Sequence, residues 1–212
     1  MKEELYQVAD ELRAIANAGL RWTKNGYDKE RYELVLKASA RLIATAEKSS
    51  FDEIYTQYSG NLAHLSPVLC VEAVVLREGK ILLIQRSDDQ TWAMPGGLLE
   101  VGESPARGAE RELWEEAGMH ARAVRLLALY DSRFWPSQSR MQLCIASFLM
   151  QTDDDPKLHT GMEDTPSSLA ETLDVGFFAE DHLPKMHIGH DRRVPMTFQL
   201  IREKASMPFF DQ

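Results

Sequence analysis

Apolar positions recur at helical spacing near the N-terminus and gather into short runs further on, dividing the chain into a helical front and a strand-rich remainder. Over residues 2–20, Leu5, Val8, Ala9, Leu12, Ile15 and Ala16 share one helical face. A loop over residues 21–27 holds Trp22 and Gly26, and Asp28 is then placed to cap a second helix. In that helix Tyr32, Val35, Leu36, Leu42 and Ile43 form the stripe, with the small Ser39 as its weak point. Residues 51–58 predict a short third helix, broken by Ser59-Gly60-Asn61. A hairpin this small cannot hide both of its faces, so it is expected to pack on the rest of the chain or on a second copy.

Ser66-Pro67 marks the change of character. Residues 68–76 are a nearly continuous apolar run that suits a central strand, interrupted by Glu72. A lone acid in such a strand sits at an edge or faces a site. Residues 77–80 predict a turn and 81–85 a strand that Arg86 ends, and Pro95-Gly96-Gly97 predicts a further turn. Strands are expected over 123–130, 142–150 and 173–178 and a last helix over 194–205. The expected domains are 1–65, a helical region, and 66–212, an α+β domain.

The stretch between Gly97 and Met119, GLLEVGESPARGAERELWEEAGM, carries the chemistry. Ser104 is a good N-cap, Pro105 suits the first helical position, and Gly118 suits the residue past the end. On that helix Ala106, Ala109, Leu113 and Ala117 make an apolar stripe, and Glu112, Glu115 and Glu116 cluster beside it. Clustered acids repel one another unless a cation sits among them, and oxygen ligands suit Mg²⁺ or Mn²⁺. Arg111 lies four before Glu115 and can pair with it. Gly108, costly inside a helix, is read as leaving room on the acidic face. A Glu-rich helix is ordinarily just a solvated face, but nine specified positions over twenty-three residues are hard to obtain from surface composition.

The pattern resembles the Nudix hydrolase signature, G-x5-E-x7-R-E-U-x-E-E-x-G-U with U a bulky aliphatic residue, and every fixed position is met. The resemblance implies a mixed sheet sandwiched between helices, and metal-dependent hydrolysis of a nucleoside diphosphate linked to another group. It implies Glu112 and Glu116 as first-choice metal ligands, Glu115 next, and the Gly96 carbonyl as a further one. Arg111 would orient the acids, and Glu103 would brace the loop or bind a further ion. The general base is sought outside the box, with Glu163 ahead of Asp164 and Glu171. The helical front is similar to the region carried by a bacterial subset of Nudix hydrolases, some acting on ADP-ribose or CDP-choline, through its layout and the text KNGYDKERYE.

Charge and composition narrow the rest. A net charge of −9 argues against general nucleic-acid affinity, and no helix-turn-helix signal or basic stripe suggests sequence-specific binding. Cys70 and Cys144 lie in apolar runs and are expected as buried free thiols; with no membrane-spanning run and a charged N-terminus, the expectation is a cytoplasmic protein. A small-molecule nucleotide is the expected partner, and a homodimer through the helical front the expected assembly. For substrate binding the candidates are Arg133, Phe134 and Trp135 in the 131–140 connection, with Arg86, Glu72, the 152–168 loop, Trp22 and Tyr27. His187 and His190 are read as ordinary loop residues rather than a metal pair. Two other functions stay open: a non-catalytic metabolite-binding regulator and a triphosphate-cleansing enzyme. The intact box argues against the first.

Overall fold

In the computed structural model, which describes residues 2–156, 172–204 and 206–212, the chain divides into two units. They are Met1–Pro67 with Ser139–Gln142, and Val68–Gln138 with Leu143–Gln212.

The first unit holds α1 (Lys2–Trp22), α2 (Gly26–Glu47) and α3 (Phe51–Ser59). Small residues let the helices approach: Ala9 and Ala16 of α1 meet Leu36, Ala40 and Ile43 of α2, with Ile54 and Tyr58 of α3 closing the cluster. Ser39 is no weakness in this core, because its hydroxyl donates to the Ala9 carbonyl at 2.7 Å. The N-cap of α2 is Asn25, not Asp28: its side chain accepts the Tyr27 N–H at 2.9 Å, and Asp28 sits in the first turn. Both are N-cap residue types, so composition alone does not separate them. Arg140 belongs to this unit, donating to Glu47 at 3.0 Å and to the Tyr58 hydroxyl at 3.2 Å.

The second unit contains β1 (Val68–Val74), β2 (Leu76–Arg77), β3 (Lys80–Arg86), β4 (Trp92–Ala93), β5 (Gly96–Leu98), α4 (Pro105–Ala117), β6 (Arg122–Asp131), β7 (Leu143–Gln151), β8 (Thr172–Ala179), a 3-10 turn (Glu180–His182), α5 (His190–Arg202) and β9 (Phe209–Phe210). One sheet runs β5-β1-β7-β6-β9 and mixes parallel with antiparallel pairs; the other joins β2, β3, β4 and β8. Strand alternation sends side chains to opposite layers. Val71, Ala73, Leu82 and Ile84 pack with Ala109, Leu113 and Ala117 of α4, whereas Val74, Ile81 and Leu83 pack with Val194 and Phe198 of α5. Helices thus cover one mixed and one antiparallel sheet from two sides, an α+β architecture.

Three expectations change. Gly96 and Gly97 are not a turn but strand β5, paired antiparallel with β1. A Cβ on Gly96 would come 2.3 Å from the Val71 carbonyl oxygen, so the close pairing needs glycine there. The last helix starts at His190, after Gly189 at φ 83°, four residues before the expected 194, and Pro195 lies inside it. The cysteines are free but only half-buried, and burial raises the Cys70 thiol to about 11.

Candidate active site

Helix α4 is built by the signals its sequence carries. Ser104 accepts the Arg107 N–H at 3.4 Å, Pro105 opens the helix, and Gly118 at φ 64° closes it with its N–H on the Trp114 carbonyl. Ala109, Leu113 and Ala117 anchor the apolar face, which leaves the acids along the helix flank.

Arg111 is the hub of that flank. Its Nη1 donates to Glu112 and Glu115, each at 2.9 Å, while Nε and Nη2 clasp Glu103 at 3.2 and 2.9 Å. Nη2 also reaches the Leu98 carbonyl at 3.2 Å. The clasp from Glu103 comes first among the effects that hold the Arg111 proton more firmly than usual, against the opposing effect of burial. Glu103 is held below the usual carboxylate range by the same guanidinium, with burial opposing and the Glu100 N–H helping at 2.8 Å. Its oxygens are engaged in bracing the loop to the helix.

Glu112 and Glu116 are each 8% exposed. Burial lifts the Glu112 carboxyl above its ordinary range, and Arg111 offsets part of that. Glu116 accepts the Gly96 N–H at 2.8 Å, which fixes α4 against β5. Gly97 leaves room for that carboxylate, since a Cβ there would lie 2.5 Å from Glu112 Oε1. Gly108 serves a different purpose from the one expected. The space beside it is filled by Leu99 and Glu103, whose nearest atoms would lie 2.8 and 2.9 Å from an added Cβ.

These acids offer buried, hard oxygen donors, the chemistry that a divalent cation takes. Among the described residues, no three His, Cys, Asp or Glu side chains converge as they would around an ion. In their place Arg111 supplies the neutralising charge.

A cavity of about 130 Å³ adjoins the acids, lined by Gly96, Gly97 and Glu116 and by residues from β1, β3, β7 and the segment around α5. Glu72 lines it. This residue is not on an edge strand, since β1 pairs with both β5 and β7. Arg86 lines it too, with Asp88 bound at 3.0 and 2.6 Å and raising the guanidinium's proton affinity. Both histidines read as ordinary loop residues are cavity-lining. His187 Nδ1 lies 3.0 Å from Asp89 and 3.3 Å from Thr91, and His190 Nδ1 accepts the Met94 N–H at 3.2 Å. Burial, with Arg193 nearby, keeps the His190 ring neutral.

The expected aromatic platform is not in this cavity. Trp135 packs 4.6 Å from Tyr130 and 5.9 Å from Phe209 between ring centroids, and its indole N–H is held by Asp211 at 2.8 Å. Partly buried, it caps the cluster around Tyr130 rather than facing the cavity. Arg133 is bound back to Asp131 at 2.8 Å, and Phe134 is exposed beside it. The connection instead contributes Ser137 and Gln138 to the lining. Trp22 and Tyr27 are exposed on the first unit. Glu163, Asp164 and Glu171 lie outside the described residues, as does most of the 152–168 loop.

Sequence reading missed Arg193, which pairs with Glu72 inside the cavity. Glu72 gave half of the signal, a lone charge in an apolar run that the fold buries, but Arg193 follows Asp191 and Arg192 and reads as one more exposed charge.

Comparison with known proteins adds an independent line. Residues 67–196 match the NUDIX domain family, and residues 3–57 match a family described as a UDP-X-like, N-terminal oligomerisation domain. A Bacillus subtilis protein provisionally named ADP-ribose pyrophosphatase YjhB is 32% identical over 205 residues, covering 96% of this chain and 95% of that one. The crystal structure of a UDP-X diphosphatase matches with a TM-score of 0.59 and 26% identity over 99% of both chains. An ADP-ribose pyrophosphatase from Streptococcus suis matches with a TM-score of 0.55 and 26% identity, covering 69% of this chain and all of that one.

Proposed function

The chain belongs to the Nudix hydrolase family, and from that premise we propose that it hydrolyses the diphosphate of a nucleoside diphosphate joined to another group, giving a nucleoside monophosphate and a phosphorylated partner. The carrying observation is the pair of buried carboxylates, Glu112 and Glu116, held beside a cavity by Arg111 and the Gly96 N–H.

Glu112 and Glu116 would hold Mg²⁺ or Mn²⁺, with Glu115 and the Gly96 carbonyl as further ligands. When bound, such an ion neutralises phosphoryl oxygens and lowers the pKa of bound water. Arg111 holds Glu112 and Glu115 in place, and Glu103 braces Arg111 through two contacts. Glu163 remains the proposed general base. Residues 1–65 are taken as a dimerisation region and 66–212 as the catalytic domain, and the oligomerisation family matched by residues 3–57 supports a homodimer.

The relatives' names supply the first substrates to try: ADP-ribose and compounds of UDP, with CDP-choline beside them. Product analysis with each compound, with and without Mg²⁺ or Mn²⁺, tests the proposal. Absence of turnover on all of them would favour a metabolite-binding regulator, and a strong preference for 8-oxo-dGTP would favour a triphosphate-cleansing enzyme. No helix among the described residues is long and apolar enough to cross a membrane.

A further inference from the structure

The cavity beside the carboxylates contains a buried ion pair that diphosphate hydrolysis leaves unused. Glu72 and Arg193 are each 4% exposed. Arg193 Nε and Nη2 both lie 2.8 Å from Glu72 Oε1, and the Ser147 hydroxyl donates to Oε2 at 2.5 Å. The carboxylate is therefore nearly saturated, but Arg193 Nη1 is buried and has no hydrogen-bond partner among the described residues. A buried donor without an acceptor is uncommon in a native structure and calls for one. Gly189 packs closely against that nitrogen, where an added Cβ would lie 2.5 Å from Nη1.

Charge decides what kind of acceptor suits. Glu72 balances Arg193, Asp88 balances Arg86, and Asp89 faces His187, while His190 is neutral. The inner cavity offers spare N–H groups without net positive charge. A second phosphate or a carboxylate would be desolvated there without compensation. A neutral carbonyl oxygen would satisfy the donor at little cost. The volume of about 130 Å³ is below the roughly 300 Å³ at which pockets begin to enclose a whole drug-sized ligand, so it takes one small ring.

We infer that Arg193 Nη1 reads the carbonyl oxygen on the distal edge of the substrate's nucleobase, selecting the oxo edge of uracil over the amino edge of cytosine. This rests on the function proposed above. With the diphosphate at Glu112 and Glu116, the base edge farthest from its ribose bond penetrates deepest. An amino group at that edge would set N–H against N–H, as adenine's also would. Uridine diphosphate compounds therefore come ahead of ADP-ribose and CDP-choline. Arg193 is a specificity-determining residue, and Glu72 positions it.

The test is calorimetric titration of UMP and CMP into the full chain in one Mg²⁺ buffer, because the pair differs only along that edge, in the oxo or amino group and the proton on the neighbouring N3. UMP should bind at least about tenfold tighter. Equal affinity, or tighter CMP, overturns the inference. Arg193→Lys, checked for folding by its melting curve, should weaken UMP and leave CMP nearly unchanged, drawing the ratio toward one. If both nucleotides weaken together while the ratio persists, the residue is only structural and the inference fails. Should the variant not fold, the wild-type ratio decides alone. Binding is read without turnover, so loss of hydrolysis on every diphosphate would refute the proposed function and leave this ratio standing.

Discussion

The Glu112 carboxylate occupies the space that a side chain at Gly97 would need: Oε1 would lie 2.5 Å from an added Cβ. The atom in the way is the end of a flexible side chain, so folding can tolerate the clash while the carboxylate's position cannot. Gly97→Ala should therefore leave stability within about 1 kcal/mol of the wild type. It should lower turnover by on the order of a hundredfold, as a displacement near 1 Å does at a reacting centre. Urea unfolding and steady-state kinetics on the same preparation separate these effects.

Arg111 joins three acids and a carbonyl, and its side chain is 22% exposed. Arg111→Ala leaves Glu103, Glu112 and Glu115 to repel one another, and breaking a largely buried ion network costs about 3 kcal/mol. Mg²⁺ should return part of that loss by taking over the neutralisation. Thermal unfolding of the variant with and without Mg²⁺ checks both the loss and its rescue.

Asp89 gives a pH signature away from the acidic helix. Burial pushes its carboxyl up, but the Thr91 hydroxyl and N–H, together with His187, outweigh that and hold it below its ordinary 3.8. A depressed folded-state pKa contributes stability that is present above 3.8 and is lost as pH falls toward the lower folded value. Asp89→Asn should thus destabilise the protein at pH 6, and the difference from wild type should shrink progressively below pH 3.8. Denaturant titrations across that range measure it. A constant difference would place the contribution in shape rather than charge.

On α1, Val8 and Ile15 are 41% and 56% exposed and lie two helical turns apart on one face. A homodimer through the helical unit would cover them. Ile15→Lys should weaken the dimer at least about tenfold, roughly 1.4 kcal/mol, while the helices stay folded. Sedimentation velocity over a concentration series, beside far-UV circular dichroism, reports both quantities. A full-length monomer at micromolar concentration would end the dimer proposal.

The catalytic helix was legible in the sequence from end to end because each of its determinants is local: Ser104 caps it, Pro105 opens it, Gly118 ends it, and the apolar stripe is regular. Strand cores were legible for the same reason, through runs such as residues 81–85. The pairings across the chain were not. Glu72 meets Arg193 across 121 positions, and nothing near either residue announces the other. Gly96 and Gly97 have turn composition, but the β1 backbone and the Glu112 carboxylate lie too close for side chains, so they form a strand. Trp135 carried a stacking residue's chemistry, and only tertiary placement beside Tyr130, Phe209 and Asp211 shows it capping the core.

Metal-dependent diphosphate hydrolysis centred on Glu112 and Glu116 is tested most directly by one comparison: turnover of UDP-sugar and ADP-ribose by wild type, by wild type in excess EDTA, and by folded Glu116→Gln. The expected result is hydrolysis to a nucleoside monophosphate by wild type with Mg²⁺ or Mn²⁺, with none in EDTA. The variant should be slower by at least about two orders of magnitude, equivalent to about 2.7 kcal/mol in barrier. Full activity in EDTA, or near-normal turnover by a folded Glu116→Gln protein, would contradict it.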